Sequence, residues 1–294
     1  NQQTEQLSPL SSRPTYTETE NELTVKANKR TFIFSKKDGQ LKGVSVDNRK
    51  INFANGPRFI GARRADRSLD QFYNHDDEKA KEKDRTYSEF PDAAVFTKLD
   101  VKEDGGNLVV TANYKLGNLD KAQWTINPSG ELALDYTYNF SGVVDLMGIR
   151  FDYPEDQVIS KRWLGAGPYR VWQNRIHGTQ YDVWENDYND PIPGETFTYP
   201  EFKGYFGDVS WMNIQTKEGT ISLTNEAPDA YIGVYQPRDG RDRLLYTLPE
   251  SGISVLNVIP PVRNKVNSTD LCGPSSQPKW VNGPQTGRVI FRFM

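Results

Sequence analysis

The chain has 294 residues, with 36 Lys and Arg against 39 Asp and Glu, which gives a formal net charge of −3. This near balance excludes the concentrated basic surface that captures nucleic acid or an anionic membrane, and no run of about 18 apolar residues is present to span a bilayer. We therefore predict neither nucleic acid nor membrane as a partner. Hydrophobic residues make up only 36% of the chain, but aromatic residues make up 12%, and large rings can still build a core.

The first 20 residues are rich in Ser, Thr, Gln and Pro and contain almost nothing to bury, which predicts a polar tail or linker. They contain no apolar signal core and no initiating Met. We therefore expect a mature product or an excised fragment, and the sequence leaves the compartment open.

Strand patterns begin directly after this tail. Thr31 to Phe53 alternates apolar and polar residues around Asp38-Gly39, which predicts strand, turn, strand, short turn and strand. Residues 76–89 are highly charged without an apolar stripe and predict a solvated loop or helix. Short alternating runs follow, and from about residue 156 they mix with irregular, aromatic-rich sequence. Because no amphipathic helix of ten residues is present, residues 21–294 predict one all-β domain, a large antiparallel two-sheet sandwich, and exclude a TIM barrel.

Few residue types with metal or redox chemistry are present. Cys272 is the single cysteine, which excludes an internal disulfide and a cysteine-rich metal site. The two histidines, His75 and His177, are too few for a multi-histidine metal cluster. With no glycine-rich phosphate loop and no nucleophile elbow, we predict neither a cofactor nor a metal.

The densest group of chemically interesting residues lies between Trp163 and Trp211. This stretch holds four of the six tryptophans, interspersed with Arg, Asn, His and Glu side chains. Aromatic faces beside such groups suit a sugar, because a C–H face of the sugar ring stacks on indole while planar side chains bond its hydroxyls. The alternative is a sandwich core with Pro- and Gly-rich corners, and both interpretations stay open for each tryptophan.

Three further patterns have a chemical and a structural interpretation. His177 and Glu201 could form an acid/base pair, although a lone histidine is more often structural. Asn225-Glu226 matches a dipeptide that carries the acid/base Glu in many retaining glycosidases, but this chain has no barrel to present it. A third group of acidic residues could offer oxygens to calcium, but its spacing matches no loop motif and favours solvation. Its members are Asp66, Asp70, Asp76 and Asp77.

Two segments carry a family resemblance. LGAGPYRVWQNR (Leu164 to Arg175) resembles the G-x-G-P…R segment in the last domain of family 2 glycoside hydrolases of the β-galactosidase type, and YPEFKGYFGDVSW (Tyr199 to Trp211) resembles the Pro-x-Glu-x-Gly segment that follows it. The start is similar too, since a strand, a Gly turn and a Pro-Arg/Arg-Ala-rich corner follow Leu23. The resemblance spans about Leu23 to Met294. It implies an antiparallel supersandwich of the galactose mutarotase-like class.

The resemblance also implies where the chemistry is. In that family both catalytic carboxylates lie in a central TIM barrel, so we predict no catalytic residue in this chain, and the last domain supplies a wall of the sugar site. Part of that wall is a Trp in a D-D-S-W-G-P-like segment. The matching stretch here is Thr269 to Pro274, with Cys272 where the Trp would stand, and Trp280 is the candidate substitute. Arg175 and Glu201 match the motifs by position and would shape the cleft.

We therefore expect a C-terminal domain of a family 2 β-galactosidase-like hydrolase, inactive alone, with carbohydrate and the barrel domain of the same parent chain as partners. Export to the periplasm is implied by resemblance to polysaccharide-degrading relatives. The rival hypotheses are a mutarotase-like aldose epimerase using His177 and Glu201, a carbohydrate-binding module, and a purely structural domain. The predicted carbohydrate-binding residues are Trp172, Arg175, His177, Glu201, Trp211 and Trp280.

Overall fold

Apolar and polar residues alternate along much of the chain. In a computed structural model of the protein, these stretches form strands. The structure describes residues 12–64, 87–188, 203–227, 229–234, 248–261 and 273–294. Within these ranges it contains nineteen strands and two short 3-10 turns, the turns at Glu155–Gln157 and Pro274–Ser276. No helix in the described residues is long and apolar enough to cross a membrane.

Ten strands form the first sheet, and all of its strand pairs are antiparallel. These strands are β1 (Thr15–Glu18), β2 (Glu22–Ala27), β3 (Arg30–Ser35), β4 (Leu41–Val46), β5 (Arg49–Ile51), β6 (Ala54–Arg64), β7 (Tyr87–Glu89), β12 (Leu146–Asp152), β17 (Tyr231–Gly233) and β18 (Ile253–Val258). Their order is β1-β2-β3-β4-β6-β12-β18-β17, with β5 paired to β4 and β7 paired to β6.

Nine strands form the second sheet, which is also antiparallel throughout. These strands are β8 (Val95–Asp104), β9 (Asn107–Lys115), β10 (Leu119–Ile126), β11 (Leu132–Val144), β13 (Val158–Gly167), β14 (Gln180–Asp187), β15 (Trp211–Thr216), β16 (Gly219–Asn225) and β19 (Lys279–Phe293). Their order is β14-β13-β15-β16-β19-β11-β10-β9-β8.

The main core lies between the facing surfaces of the two sheets and is built largely from rings. Phe53 stacks on Phe151 with ring centroids 4.7 Å apart, and both rings contact Phe291 of the opposite sheet. Trp124 is fully buried against Phe34 and Phe151. Because each ring removes a large apolar area from water, the aromatic content offsets the low share of aliphatic residues.

A second apolar cluster lies on the other face of the ten-stranded sheet. Alternate residues of its central strands point away from the main core, among them Ile60, Leu146 and Leu256. They are covered by the chain that follows β13, through side chains such as Trp172 and Tyr205. We call this cluster the cover cluster. It leaves part of the same sheet face uncovered, and that part positions the site described below.

The all-β prediction of two large antiparallel sheets is confirmed, as is the hairpin at Asp38-Gly39, where Gly39 has a φ of +72° between β3 and β4. The tail is shorter than predicted, because Thr15–Glu18 form β1 and pair with β2. Such an exposed edge strand needs main-chain hydrogen bonds but no buried face, so its polar sequence gives no apolar signal. Residues 1–11 lie outside the described residues, as does the charged segment 76–86. Extension of one domain over 21–294 stays a prediction.

Gly148 lies where β12 passes closest to β18, and this close approach is testable. A Cβ on Gly148 would overlap the main-chain oxygen of Val255 and lie 2.7 Å from the Cα of Leu256. We expect Gly148→Ala to lower the free energy of unfolding by about 1–3 kcal/mol or more, because backbone cannot move aside cheaply. Urea denaturation with an unchanged m value measures this loss.

Gly43 is the matched control, since a Cβ there would meet only Ile33 Cδ1 at 3.8 Å. Gly43→Ala should change the free energy of unfolding by less than about 1 kcal/mol. Equal losses in the two variants would contradict the packing of β12 against β18.

Candidate functional site

A cavity of about 570 Å³ opens on the outer face of the ten-stranded sheet, where the cover cluster ends. This volume is in the range of about 300–1,000 Å³ that is typical of small-molecule sites. Most of its lining residues have polar or charged side chains, and apolar atoms form about half of its surface. The lining residues are Lys42, Lys50, Asn52, Ala54, Asn55, Arg150, Asp152, Tyr153, Pro154, Glu155, Val234, Glu250, Ser251 and Gly252.

A row of directly paired residues crosses four strands beside this cavity. Arg150 of β12 pairs with Arg58 of β6 on one side and with Ser254 of β18 on the other, and Ser254 pairs with Gly233 of β17. We call these four residues the cross-strand row. Ile60 and Leu256 of the cover cluster are the next residues on the same sheet face, each two positions after a member of the row on its strand. The same sheet face therefore changes from apolar to charged within a few residues.

The charged end of the row is held by an ion pair. Asp152 is two residues beyond Arg150 on the same face of β12, and its carboxylate accepts hydrogen bonds from Arg58 and from Asn55 Nδ2, the latter at 2.8 Å. Asn55 has a φ of +53°, a left-handed conformation that Asn adopts more readily than most residues. The register between β6 and β12 shifts at this point, and this β-bulge aims the Asn55 amide at Asp152.

The opposite side of the cavity is tied to the second sheet. Glu218, in the turn between β15 and β16, accepts hydrogen bonds from the Asn52 main-chain N–H at 3.0 Å and from the Tyr153 hydroxyl at 3.1 Å. Burial, with a contribution from the Glu218 carboxylate, raises the pKa of Tyr153 well above its ordinary value. Tyr153 therefore stays protonated and acts as a donor, so this wall is rigid and carries no reactive phenolate.

Arg150 lines the cavity and forms no ion pair with a carboxylate of the described residues. Its Nη1 donates to the main-chain carbonyl of Glu250, while its Nε is buried with no hydrogen-bond partner. Partial burial, and next the charge of Arg58, lower its pKa. Two buried hydroxyls close by, Ser251 Oγ and Ser254 Oγ, also have no hydrogen-bond partner. Polar atoms without a hydrogen-bond partner are therefore buried beside the cavity.

The predicted site residues that fall within the described ranges do not line this cavity. Trp172 is only 6% exposed and packs edge-on against Tyr205, with ring centroids 5.9 Å apart, inside the cover cluster. Arg175 and His177 are exposed in the turn that follows, where the Arg175 N–H donates to the Trp172 carbonyl at 2.8 Å. The structure therefore brings Trp172 and Arg175 together in one turn, and neither lines the cavity.

The remaining predicted residues are spread over the second sheet or fall outside the described ranges. Trp211 is half-buried at the start of β15, and Trp280 is 72% exposed on β19, where it pairs with Val143 of β11. Glu201 lies outside the described residues, as does Cys272. Sugar contact by any of the six predicted residues therefore stays a prediction.

The Asn-Glu dipeptide and the acidic residues considered for calcium were two further candidates for a site. Glu226 pairs with Arg288 at 3.1 Å, and Asn225 bonds main-chain carbonyls of its own corner, so this dipeptide has structural partners. The predicted calcium residues and His75 lie outside the described residues. Within the described residues, no group of three or more His, Cys, Asp or Glu side chains could hold a metal ion.

Sequence reasoning missed the cross-strand row. The signal is present in two short stretches, PRFIGA around Arg58 and GIRFD around Arg150. In both, a charged residue occupies an outward position next to outward positions that are small or apolar, Ile60 and Ala62 in β6 and Leu146 and Gly148 in β12. Such an isolated charge on a largely buried strand indicates a site, because a charge there must be paired or bind something.

The fold and the cavity define an all-β domain with a ligand-sized polar site on an outer sheet face. The family model described as beta galactosidase small chain matches residues 26–263. Because this match covers most of the chain, the protein belongs to the beta galactosidase small-chain family. No curated protein matches the sequence.

Several solved structures are similar to this chain in fold. Galactose 1-epimerase from Lactobacillus acidophilus has a TM-score of 0.48 and 8% identity, covering 97% of this chain and 99% of its own. An aldose epimerase homologue from C. elegans has a TM-score of 0.43 and 7% identity, covering 96% and 99%. A putative mutarotase from Salmonella typhimurium has a TM-score of 0.41 and 10% identity, covering 99% and 95%. Likeness at this level says nothing about what this chain binds.

The contrasting exposure of two predicted sugar-binding tryptophans yields a test. Trp172→Ala should lower the free energy of unfolding by about 3–5 kcal/mol, because it empties the centre of the cover cluster. Trp280→Ala should change it by less than about 0.5 kcal/mol, since the side chain is mostly in water. Chemical denaturation of both variants measures the difference, and a small effect of Trp172→Ala would show that this ring does not hold the cover in place.

Proposed function

We propose that this chain is the last domain of a family 2 β-galactosidase-like glycoside hydrolase, where it forms one wall of the sugar-binding cleft and performs no hydrolysis by itself. The family match over residues 26–263 is the observation that carries the proposal. The cavity supports it, because amide, carboxylate and cationic side chains around a pocket of this size suit the hydroxyls of a saccharide.

The state of the carboxylates supports the absence of independent hydrolysis. A retaining glycosidase needs two carboxyl groups about 5–5.5 Å apart, one of them able to give up a proton. Asp152 accepts hydrogen bonds from Arg58 and Asn55. Glu155 accepts a hydrogen bond from the Tyr188 hydroxyl at 2.6 Å. These two lining carboxylates have partners that hold them in place rather than leave them free to attack.

An exposed sheet edge supports contact with another domain. β14 is an edge strand of the nine-stranded sheet, and several large apolar side chains on it or beside it are exposed. They are Ile159, Ile176, Tyr181, Val183 and Tyr188. An edge that carries apolar groups is a liability in an isolated domain. Packing of the catalytic barrel domain against this edge would remove it from water.

Ligand binding by the purified chain tests the proposal. Isothermal titration against a panel of neutral and acidic galactosides and oligosaccharides should detect at least one ligand. Ala54→Phe should weaken that ligand about tenfold or more, because Ala54 lines the cavity and the added ring fills it without changing its charge. Ala93→Phe is the matched control, since Ala93 is exposed and does not line the cavity.

Two enzyme assays complete the test. Nitrophenyl β-galactoside should not be hydrolysed, and polarimetry on fresh galactose should show no acceleration over buffer. Hydrolysis that one Asp or Glu substitution abolishes would contradict the non-catalytic role, and accelerated mutarotation would replace the proposal with an aldose epimerase. If no sugar of the panel binds, the proposal of a carbohydrate site is wrong.

A further inference from the structure

The pairing of two arginines in the cross-strand row is electrostatically unfavourable by itself. Arg58 and Arg150 are directly opposite each other on adjacent antiparallel strands, and like charges in that position repel at short range. Arg58 is compensated by its ion pair with Asp152. Arg150 is influenced by Asp152, Glu89 and Asp92, but it forms no ion pair with any carboxylate of the described residues.

The two lysines of the cavity differ in the same way. Lys42 is paired with Asp38 at 2.8 Å and lies 3.4 Å from Asn55 Oδ1. Lys50 is exposed on the short strand β5, and within the described part of the chain it has no ion-pair partner. Arg150 and Lys50 are therefore the two cations of the cavity whose charge is available to a ligand.

The acidic side chains of the lining do not cancel this charge. Asp152 already accepts from two donors, and Glu155 is turned toward the Tyr188 hydroxyl. Glu250 is exposed. Its main-chain carbonyl accepts the hydrogen bond from Arg150, and its carboxylate does not. Glu250 is thus the one lining acid that would repel an anion without being held elsewhere.

From this arrangement we infer that the cavity selects anionic saccharides, with Arg150 receiving the carboxylate or sulfate of the sugar and Lys50 adding a second positive charge. The inference rests on the proposed carbohydrate site and names its substrate class. A guanidinium can bind such oxyanions in a two-pronged geometry, and Arg150 lines the cavity without a carboxylate partner among the described residues. Ser251 also lines the cavity, although its hydroxyl is buried.

Titration with three matched sugars tests the inference directly. Galacturonate carries a carboxylate, galactose 6-sulfate carries a sulfate, and galactose carries neither. We expect at least one anionic sugar to bind about tenfold or more tightly than galactose, and we expect this preference to shrink as salt is raised. The better of the two anionic sugars identifies the group that the cavity accepts.

Charge substitutions assign the preference to named residues. Arg150→Gln should weaken the anionic sugar about tenfold or more, and Lys50→Gln should weaken it several-fold, with a smaller loss for galactose in both. Arg49→Gln is the control for Lys50, because Arg49 is its exposed neighbour on β5 and does not line the cavity. If Arg150→Gln fails to fold, Lys50→Gln still decides, since an exposed strand residue does not support the core.

Glu250→Gln gives a readout of opposite sign. Removing this uncompensated negative charge should strengthen binding of the anionic sugar by a few-fold relative to galactose, which loss of structure would not do. Equal affinity for neutral and anionic sugars, or an anionic preference that survives both cation substitutions, would overturn the inference and leave the carbohydrate site standing. Absence of binding by all three sugars and by the wider panel would overturn both.

Discussion

The packing of the Trp172 turn onto the ten-stranded sheet is the contact on which the rest of this structure depends. A sandwich normally buries one face of each sheet and leaves the other to water. Here β6, β12 and β18 bury one face in the main core and part of the other under Trp172 and Tyr205. The site exists because this cover ends partway along the strands.

The strand β12 shows how one sequence can bury one face in the main core and cover the other face only in part. Its inward residues, Met147, Ile149 and Phe151, are all apolar and belong to the main core. Its outward residues change along the strand, from Leu146 under the cover to the uncovered Arg150. Alternation therefore satisfies the core at every second position, and the intervening positions are free to supply an apolar contact at one end and a charge at the other.

Much of the fold could be predicted from the sequence because alternation is local. The hairpin at Asp38-Gly39 and the runs that became β9 and β11 are readable within a few residues. The pairing of Arg58 with Arg150 is not, since the two residues are 92 positions apart in the chain and only the register of β6 against β12 brings them together. The sequence left the role of Trp172 open for the same reason: an aromatic residue in an irregular segment indicates either burial or binding, and the strands that it covers are distant in sequence.

The cavity is suited to recognition more than to bond breaking. Proton transfer needs groups whose protonation can change near working pH, whereas an arginine stays charged and the Asp152 carboxylate is fixed by two donors. Fixed charges on rigid strands orient a ligand at little cost, because they need no reorganisation when it arrives. A wall built in this way can hold a sugar in position while the reacting groups come from another part of a larger enzyme, as we propose. The dependence on rigid, central strands explains why the charged row lies beside the most deeply buried part of the sheet and not in a surface loop.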